Sequence, residues 1–212
     1  MLKLLPNILT LMRLVLSVVF LIMILYSPHV EGRTFLLDVT FATFLVAAVT
    51  DAVDGHVARR FDATSKFGRM IDPLVDKVLV CGAFICFAIV GEPTLFHLSR
   101  TQLAVVHWFV VAVLLSREVY VTILRHMAEA HGINFAATAS GKIKMLLQSF
   151  AIGTVLVKMA HVEAAWGDYF TTVIFLAMVV VTIISGYLAT RRPSWKQLQA
   201  EEKAHDSSRS PA

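Results

Sequence analysis

Charge is scarce in this chain of 212 residues. Asp, Glu, Lys and Arg make up 16% of it, against about 25% in a soluble domain. That is too little charge to coat a soluble fold of this size, and a hydrophobic share of 57% could not all be hidden in one core. With a mean hydropathy of +0.72, the composition excludes a soluble domain and predicts an integral membrane protein. Cysteine is nearly absent. Cys81 and Cys86 are the only two, five apart in one apolar run. They exclude a disulfide framework and a thiolate metal site, and both are expected to pack in the core. No secretory signal is expected either. The apolar stretch that follows Lys3 is too long for a signal core and has no small-residue cleavage site.

What the chain does have is long apolar runs. A spanning helix needs about 20 mostly apolar residues. Six stretches qualify: 8–27, 35–58, 73–91, 102–124, 142–160 and 169–190. They predict an all-α, polytopic membrane protein with six transmembrane helices, one domain over residues 1–190, and a polar tail over 191–212 that is too polar to fold alone. Of the 19 basic residues, only Arg33, Arg100 and Lys158 fall in the connections after the first, third and fifth runs. The others lie on or near the opposite side. Basic connections stay in the cytoplasm, so both termini are expected there. That face should also attract anionic membrane lipids, by roughly 1 kcal/mol per nearby Lys or Arg. No nucleic-acid partner is expected.

The acidic residues break the pattern. Asp51 and Asp54 end one apolar run, and Asp72 and Asp76 begin the next. An ionised Asp deep in a bilayer costs about 2.5–3.5 kcal/mol, and four together repel each other, so something cationic must neutralise them. Asp51, Asp54 and Gly55 share one helix face, to which Ala58 returns two turns on. Gly68, Asp72 and Asp76 form an i, i+4, i+8 stripe on the next helix. If the two helices are neighbours, four carboxylates converge in a polar active-site cavity on the cytoplasmic side. Hard oxygen donors without His or Cys favour Mg²⁺ or Mn²⁺ over Zn²⁺. Gly55, Ala58 and Gly68 leave room beside them for something bulky and oxygen-rich, such as a diphosphate bridging two metals. The plain alternative is helix-end charge at the water interface, but Asp51 and Asp54 lie late in their helix, where the dipole disfavours anions. A cation transporter would instead spread its carboxylates through the bilayer midplane.

Written out, the segment is Asp51-x2-Asp54-Gly55-x2-Ala58-Arg59-x8-Gly68-x3-Asp72-x3-Asp76. It resembles, position for position, the signature of the CDP-alcohol phosphatidyltransferase family. Eight fixed residues would match by chance on the order of once in 10¹⁰ starts. Members move a phosphatidyl group from a CDP-linked lipid to an alcohol and release CMP. The resemblance implies that Asp51, Asp54, Asp72 and Asp76 hold two divalent ions, Mg²⁺ or Mn²⁺, which grip the diphosphate of CDP-diacylglycerol. It implies that Gly55, Ala58 and Gly68 give the cytidine room, that Arg59 meets a phosphate, and that Asp76 is the general base.

Other stretches resemble the members that use glycerol 3-phosphate. Pro6 to Arg13 resembles their PNxLTxxR opening, with Thr10 and Arg13 on the nucleotide side. Arg117-Glu118 with Arg125 resembles RE…R, and Gly141-Lys142-Ile143-Lys144 with Gln148 resembles GKxKTxxQ, Met145 standing where Thr is usual. These imply glycerol 3-phosphate as acceptor, with Arg117, Arg125, Lys142 and Lys144 binding its phosphate. Inositol phosphate, serine and phosphatidylglycerol are the alternative acceptors. Read without the resemblance, Arg117 and Glu118 form a structural polar pair, and the two lysines are membrane anchors. His56 is read as a solvated neighbour, and His107, His126 and His131 as interfacial. Trp108, Trp166, Tyr169 and Trp195 are expected as interface anchors. By analogy the membrane is a bacterial inner membrane, and a homodimer stays open.

Overall fold

The computed structural model describes the backbone of residues 5–61, 66–95, 98–130 and 139–191, and the side chains of 11–50, 77–95, 98–130 and 140–191. Among the described residues there are six α-helices: α1 (Leu5–Tyr26), α2 (Arg33–Phe61), α3 (Lys66–Val90), α4 (Arg100–Ala130), α5 (Ala139–His161) and α6 (Ala165–Thr190). No strand occurs among the described residues. Five of these helices are long and apolar enough to cross a membrane, and α3 adds the apolar stretch Lys77–Val90. The chain is a multi-pass membrane protein. The polar tail beyond Arg191 lies outside the described residues.

Each helix begins before its apolar run, and α2 and α4 also continue past the end of theirs. In lipid every backbone group must be bonded within its own segment, and the ladder continues into the polar flanks as long as the residues permit. So α2 carries on through the Asp-rich stretch to Phe61, and α3 begins at Lys66. Only residues 62–65 separate them. The end of α2 and the start of α3 therefore lie at the same end of the bundle.

The helices close a ring. α1 packs on α2 and α3, α3 on α4, α4 on α6, α6 on α5, and α5 on α2, with α3 also meeting α5 across the middle. Lipid gives no hydrophobic drive for helix association, so close van der Waals contact must hold the ring together. Phe20 of α1 faces Phe44 of α2 with ring centres 5.4 Å apart, and Phe84 of α3 meets Phe175 of α6 edge-on at 5.8 Å. Leu114, Ile152, Leu156 and Met178 are fully buried between them. At Gly82, α3 comes close to α1: a Cβ there would stand 2.7 Å from Leu21 Cδ1. Cys81 and Cys86 are buried and unpaired in this core, as their spacing predicts.

The end of the bundle that carries the connections after α1, α3 and α5 is tied by one-to-one polar pairs. Arg33 Nη2 lies 2.9 Å from Glu92 Oε1, and His161 Nε2 lies 2.7 Å from Asp38 Oδ1. Lys158, buried, joins α5 to Asp168 on α6 and donates to the Thr94 carbonyl. His107, expected at the interface, is instead buried, with Nε2 3.1 Å from the Pro93 carbonyl oxygen. A backbone acceptor replaces water there, which offsets the cost of burying the ring. His126 is exposed, and His131 lies outside the described residues. Trp108, Trp166 and Tyr169 are exposed near the same end, and the side chain of Trp195 is not among those described. Asp168→Ala strips Lys158 of its carboxylate. Thermal unfolding in detergent is expected to show a loss of about 2 kcal/mol, and an unchanged melting temperature would mean that the pair holds nothing.

Candidate active site

At the opposite end, the last turns of α2 carry Asp51, Asp54, Gly55, Ala58 and Arg59, and the first turns of α3 carry Gly68, Asp72 and Asp76. Residues 62–65 between them lie outside the described residues. The side chains of all eight, with those of Thr10 and His56, lie outside the described residues. Arg13, on the α1 helix that packs against both α2 and α3, is buried to 2% exposure. An arginine that deep needs acceptors around its guanidinium.

Beside this helix pair, side chains from α3, α4, α5 and α6 form one polar cluster. Its centre is Glu118. One oxygen, Oε1, accepts from Arg117 Nη1 at 3.0 Å and also from Lys144 Nζ. The side chains are 13% exposed for Arg117 and 5% for Lys144. Arg117 Nη2 donates to Ser185 Oγ on α6 at 2.5 Å, and its Nε is buried without a partner among the described residues. Lys77, one residue after Asp76, donates to Thr122 Oγ1 on α4, and that hydroxyl donates in turn to the Glu118 carbonyl at 2.6 Å. Gln148 lies one turn beyond Lys144 and is 1% exposed, with Nε2 unpartnered among the described residues.

The charge balance differs from the other end. There each buried or half-buried cation has its own carboxylate. Here, among the described residues, the part-buried Arg117 and the buried Lys144 share one carboxylate, and Lys77 meets a hydroxyl. A buried excess of positive charge is unfavourable unless an anion offsets it. A guanidinium has five N–H donors. Glu118 and Ser185 use two of them, so Arg117 keeps donors for such an anion.

The structure separates the four basic residues that the sequence grouped. Arg117 and Lys144 come together on Glu118. Lys142, two residues from Lys144 and so on the other side of α5, is exposed. Arg125 is half-buried, and its Nε has no hydrogen-bond partner among the described residues. Lys77, Thr122 and Ser185 had no part in the expected site, and Glu118 and Gln148 were read only as parts of motifs, without a site role. Thr122 is one turn past Glu118 and is legible as a same-face neighbour. Nothing local marks Ser185.

A groove of about 480 Å³ runs between α3 and α4 from this cluster. Lys77, Glu118 and Thr122 line its polar end, and Gly82, Ile85 and Leu115 line its apolar length. The class is thus a multi-pass helical membrane protein with a cationic site and a carboxylate-rich helix pair at one end of its bundle.

Residues 3–186 match the family model described as CDP-alcohol phosphatidyltransferase, and the chain belongs to that family of phosphatidyl-transferring enzymes. Family membership sets the transporter reading aside. The chain is similar to a "Probable phosphatidylglycerophosphate synthase" of Mycobacterium tuberculosis, 33% identical over 187 residues, which cover 86% of this chain and 78% of the relative. It is similar to a "CDP-diacylglycerol--glycerol-3-phosphate 3-phosphatidyltransferase" of Bacillus subtilis, 32% identical over 191 residues, covering 86% of this chain and 91% of the relative. A protein of the same name from Salmonella choleraesuis is 30% identical over 194 residues, covering 88% and 94%. The family is generally dependent on divalent metal. The donor set suits a hard cation: Asp51, Asp54, Asp72 and Asp76 supply oxygen only.

Proposed function

We propose that the protein transfers the phosphatidyl group of CDP-diacylglycerol to glycerol 3-phosphate, giving phosphatidylglycerophosphate and CMP. The observation that carries the acceptor is the pair of cations, the part-buried Arg117 and the buried Lys144, which among the described residues share the carboxylate of Glu118. Glycerol 3-phosphate is small and dianionic, with few apolar atoms to bury. Its affinity must come from charge-assisted hydrogen bonds, roughly 1.5–3 kcal/mol each. The relatives that carry this activity in their names support the same acceptor.

Asp51, Asp54, Asp72 and Asp76 would hold two divalent ions, Mg²⁺ or Mn²⁺. When bound, these neutralise charge on the diphosphate and improve CMP as a leaving group. Gly55, Ala58 and Gly68 make room for the cytidine, Arg59 meets a phosphate, and Thr10 and Arg13 border the nucleotide. Arg117 and Lys144 orient the acceptor, with Arg125 and Lys142 adding positive charge nearby. Asp76 takes the proton of the acceptor hydroxyl at a carboxylate oxygen. The hydroxyl oxygen then bonds to the phosphorus that bears the diacylglycerol, and the bond from that phosphorus to the CMP oxygen breaks. A carboxylate beside a cation is a weak base, so positioning supplies much of the rate. The groove between α3 and α4 suits an apolar chain whose head lies at Lys77. The excess of Lys and Arg at this end supports a cytoplasmic site in a bacterial inner membrane, beside anionic lipids.

An acceptor panel tests the reading. Purified protein with labelled CDP-diacylglycerol and Mg²⁺ is expected to turn over with glycerol 3-phosphate and not with inositol phosphate, serine or phosphatidylglycerol. Arg117→Ala and Lys144→Ala should each raise the KM for glycerol 3-phosphate tenfold or more, at about 1.4 kcal/mol per decade, and leave the KM for CDP-diacylglycerol nearly unchanged. Arg59→Ala should do the reverse. If both acceptor-side variants damage only the lipid-nucleotide KM, the acceptor pocket lies elsewhere.

A further inference from the structure

Helix α6 carries none of the family signature and none of the residues so far given a role in the reaction, yet one of its hydroxyls reaches the centre of the cationic cluster. We propose that Ser185 is a positioning residue for acceptor binding, holding the Arg117 guanidinium in the plane that a phosphate meets. The proposal rests on the reading of Arg117 as an acceptor-phosphate donor.

The geometry is a two-point brace. Glu118 takes Nη1 of Arg117 at 3.0 Å, and Ser185 takes Nη2 at 2.5 Å. A guanidinium is planar, so two fixed hydrogen bonds from its two Nη atoms set both its position and the direction of its plane. Glu118 alone would leave the group free to turn about one contact. The carboxylate and the hydroxyl come from different helices, α4 and α6, so the brace also depends on how these two pack. Two further observations fit this role. Ser185 is 2% exposed, so its oxygen has no water to exchange with Arg117. The next residue, Gly186, lies against the arginine stem: a Cβ there would stand 3.4 Å from Arg117 Cγ, in ordinary van der Waals contact. The Nε edge stays unpartnered among the described residues, and a braced guanidinium presents that edge to an incoming anion with little rotamer freedom left to lose on binding.

A double-mutant cycle between Ser185→Ala and Arg117→Ala, read in steady-state kinetics with each substrate varied in turn, decides the matter. Ser185→Ala in the otherwise native protein is expected to raise the KM for glycerol 3-phosphate about fivefold, the size of one lost hydrogen bond. The KM for CDP-diacylglycerol and the kcat should hold. In the Arg117→Ala background the same change should add nothing. Ser185→Thr, which keeps the hydroxyl, should restore the acceptor KM to near the native value. If Arg117→Ala raises the acceptor KM and Ser185→Ala has no effect, or has the same effect in both backgrounds, Ser185 is not a brace and the functional reading still stands. The brace is equally overturned if Ser185→Thr behaves like Ser185→Ala. If Arg117→Ala leaves the acceptor KM unchanged, the reading of Arg117 fails and the brace fails with it.

Discussion

Asp72→Asn is expected to lower turnover by about a thousandfold or more. The substitution keeps the shape and size of the side chain and removes its charge. If Asp72 is one of four carboxylates that hold divalent cations, the loss falls on the charge stabilisation that the cations supply, several kcal/mol at about 1.36 kcal/mol per decade of rate. Asp51→Asn and Asp54→Asn should behave alike. Helix α3 should still form and insert, because the change relieves the membrane of an ionised group. Calorimetric titration with Mg²⁺ or Mn²⁺ gives a readout independent of activity, and the Asn proteins should bind more weakly. Native turnover or native cation affinity in Asp72→Asn would end the two-ion reading.

Asp76→Asn is expected to cost nearly as much rate, with a different signature. A general base contributes typically 10²–10⁴-fold, and its loss should appear in kcat. Binding of CDP-diacylglycerol should change little by comparison, measured as protection against thermal unfolding or by direct titration. If lipid-nucleotide affinity falls in step with rate, Asp76 is mainly a cation ligand and the acceptor's proton leaves by another group. Asp76 also directly precedes Lys77, which α4 holds through Thr122. The backbone that carries the proposed base is thus anchored to the helix that carries Arg117 and Glu118.

Some of these features are local in the chain and others are not. Composition and the length of apolar runs are local, and they were enough for the membrane class and for the helices, five of which are long and apolar enough to span. The same holds for the candidate carboxylates. Four Asp residues at helix-compatible spacing are costly in lipid wherever the helices end up packing, so they stand out before any fold is known. The helix ends were less legible. The runs stop where the apolar residues stop, whereas the backbone ladder carries on to Phe61 in α2 and to Ala130 in α4.

The sequence by itself determined that this is a multi-pass helical protein with a conspicuous carboxylate pattern where α2 ends and α3 begins, because both follow from hydropathy and periodicity along one segment at a time. Only the tertiary structure decided which cations meet. Lys142 and Lys144 look equivalent in the chain, but the ring buries one side of α5 against α6, α2 and α3, so Lys144 reaches Glu118 and Lys142 is left exposed. His107 reads as an interfacial residue until the Pro93 carbonyl arrives beside it from the preceding connection. Ser185 is the extreme case: it stands 68 residues from Arg117 in sequence, in a helix where a serine passes for ordinary. A contact across that separation exists only once α4 and α6 are packed side by side, since neither the period nor the composition of one helix encodes the face that its neighbour presents.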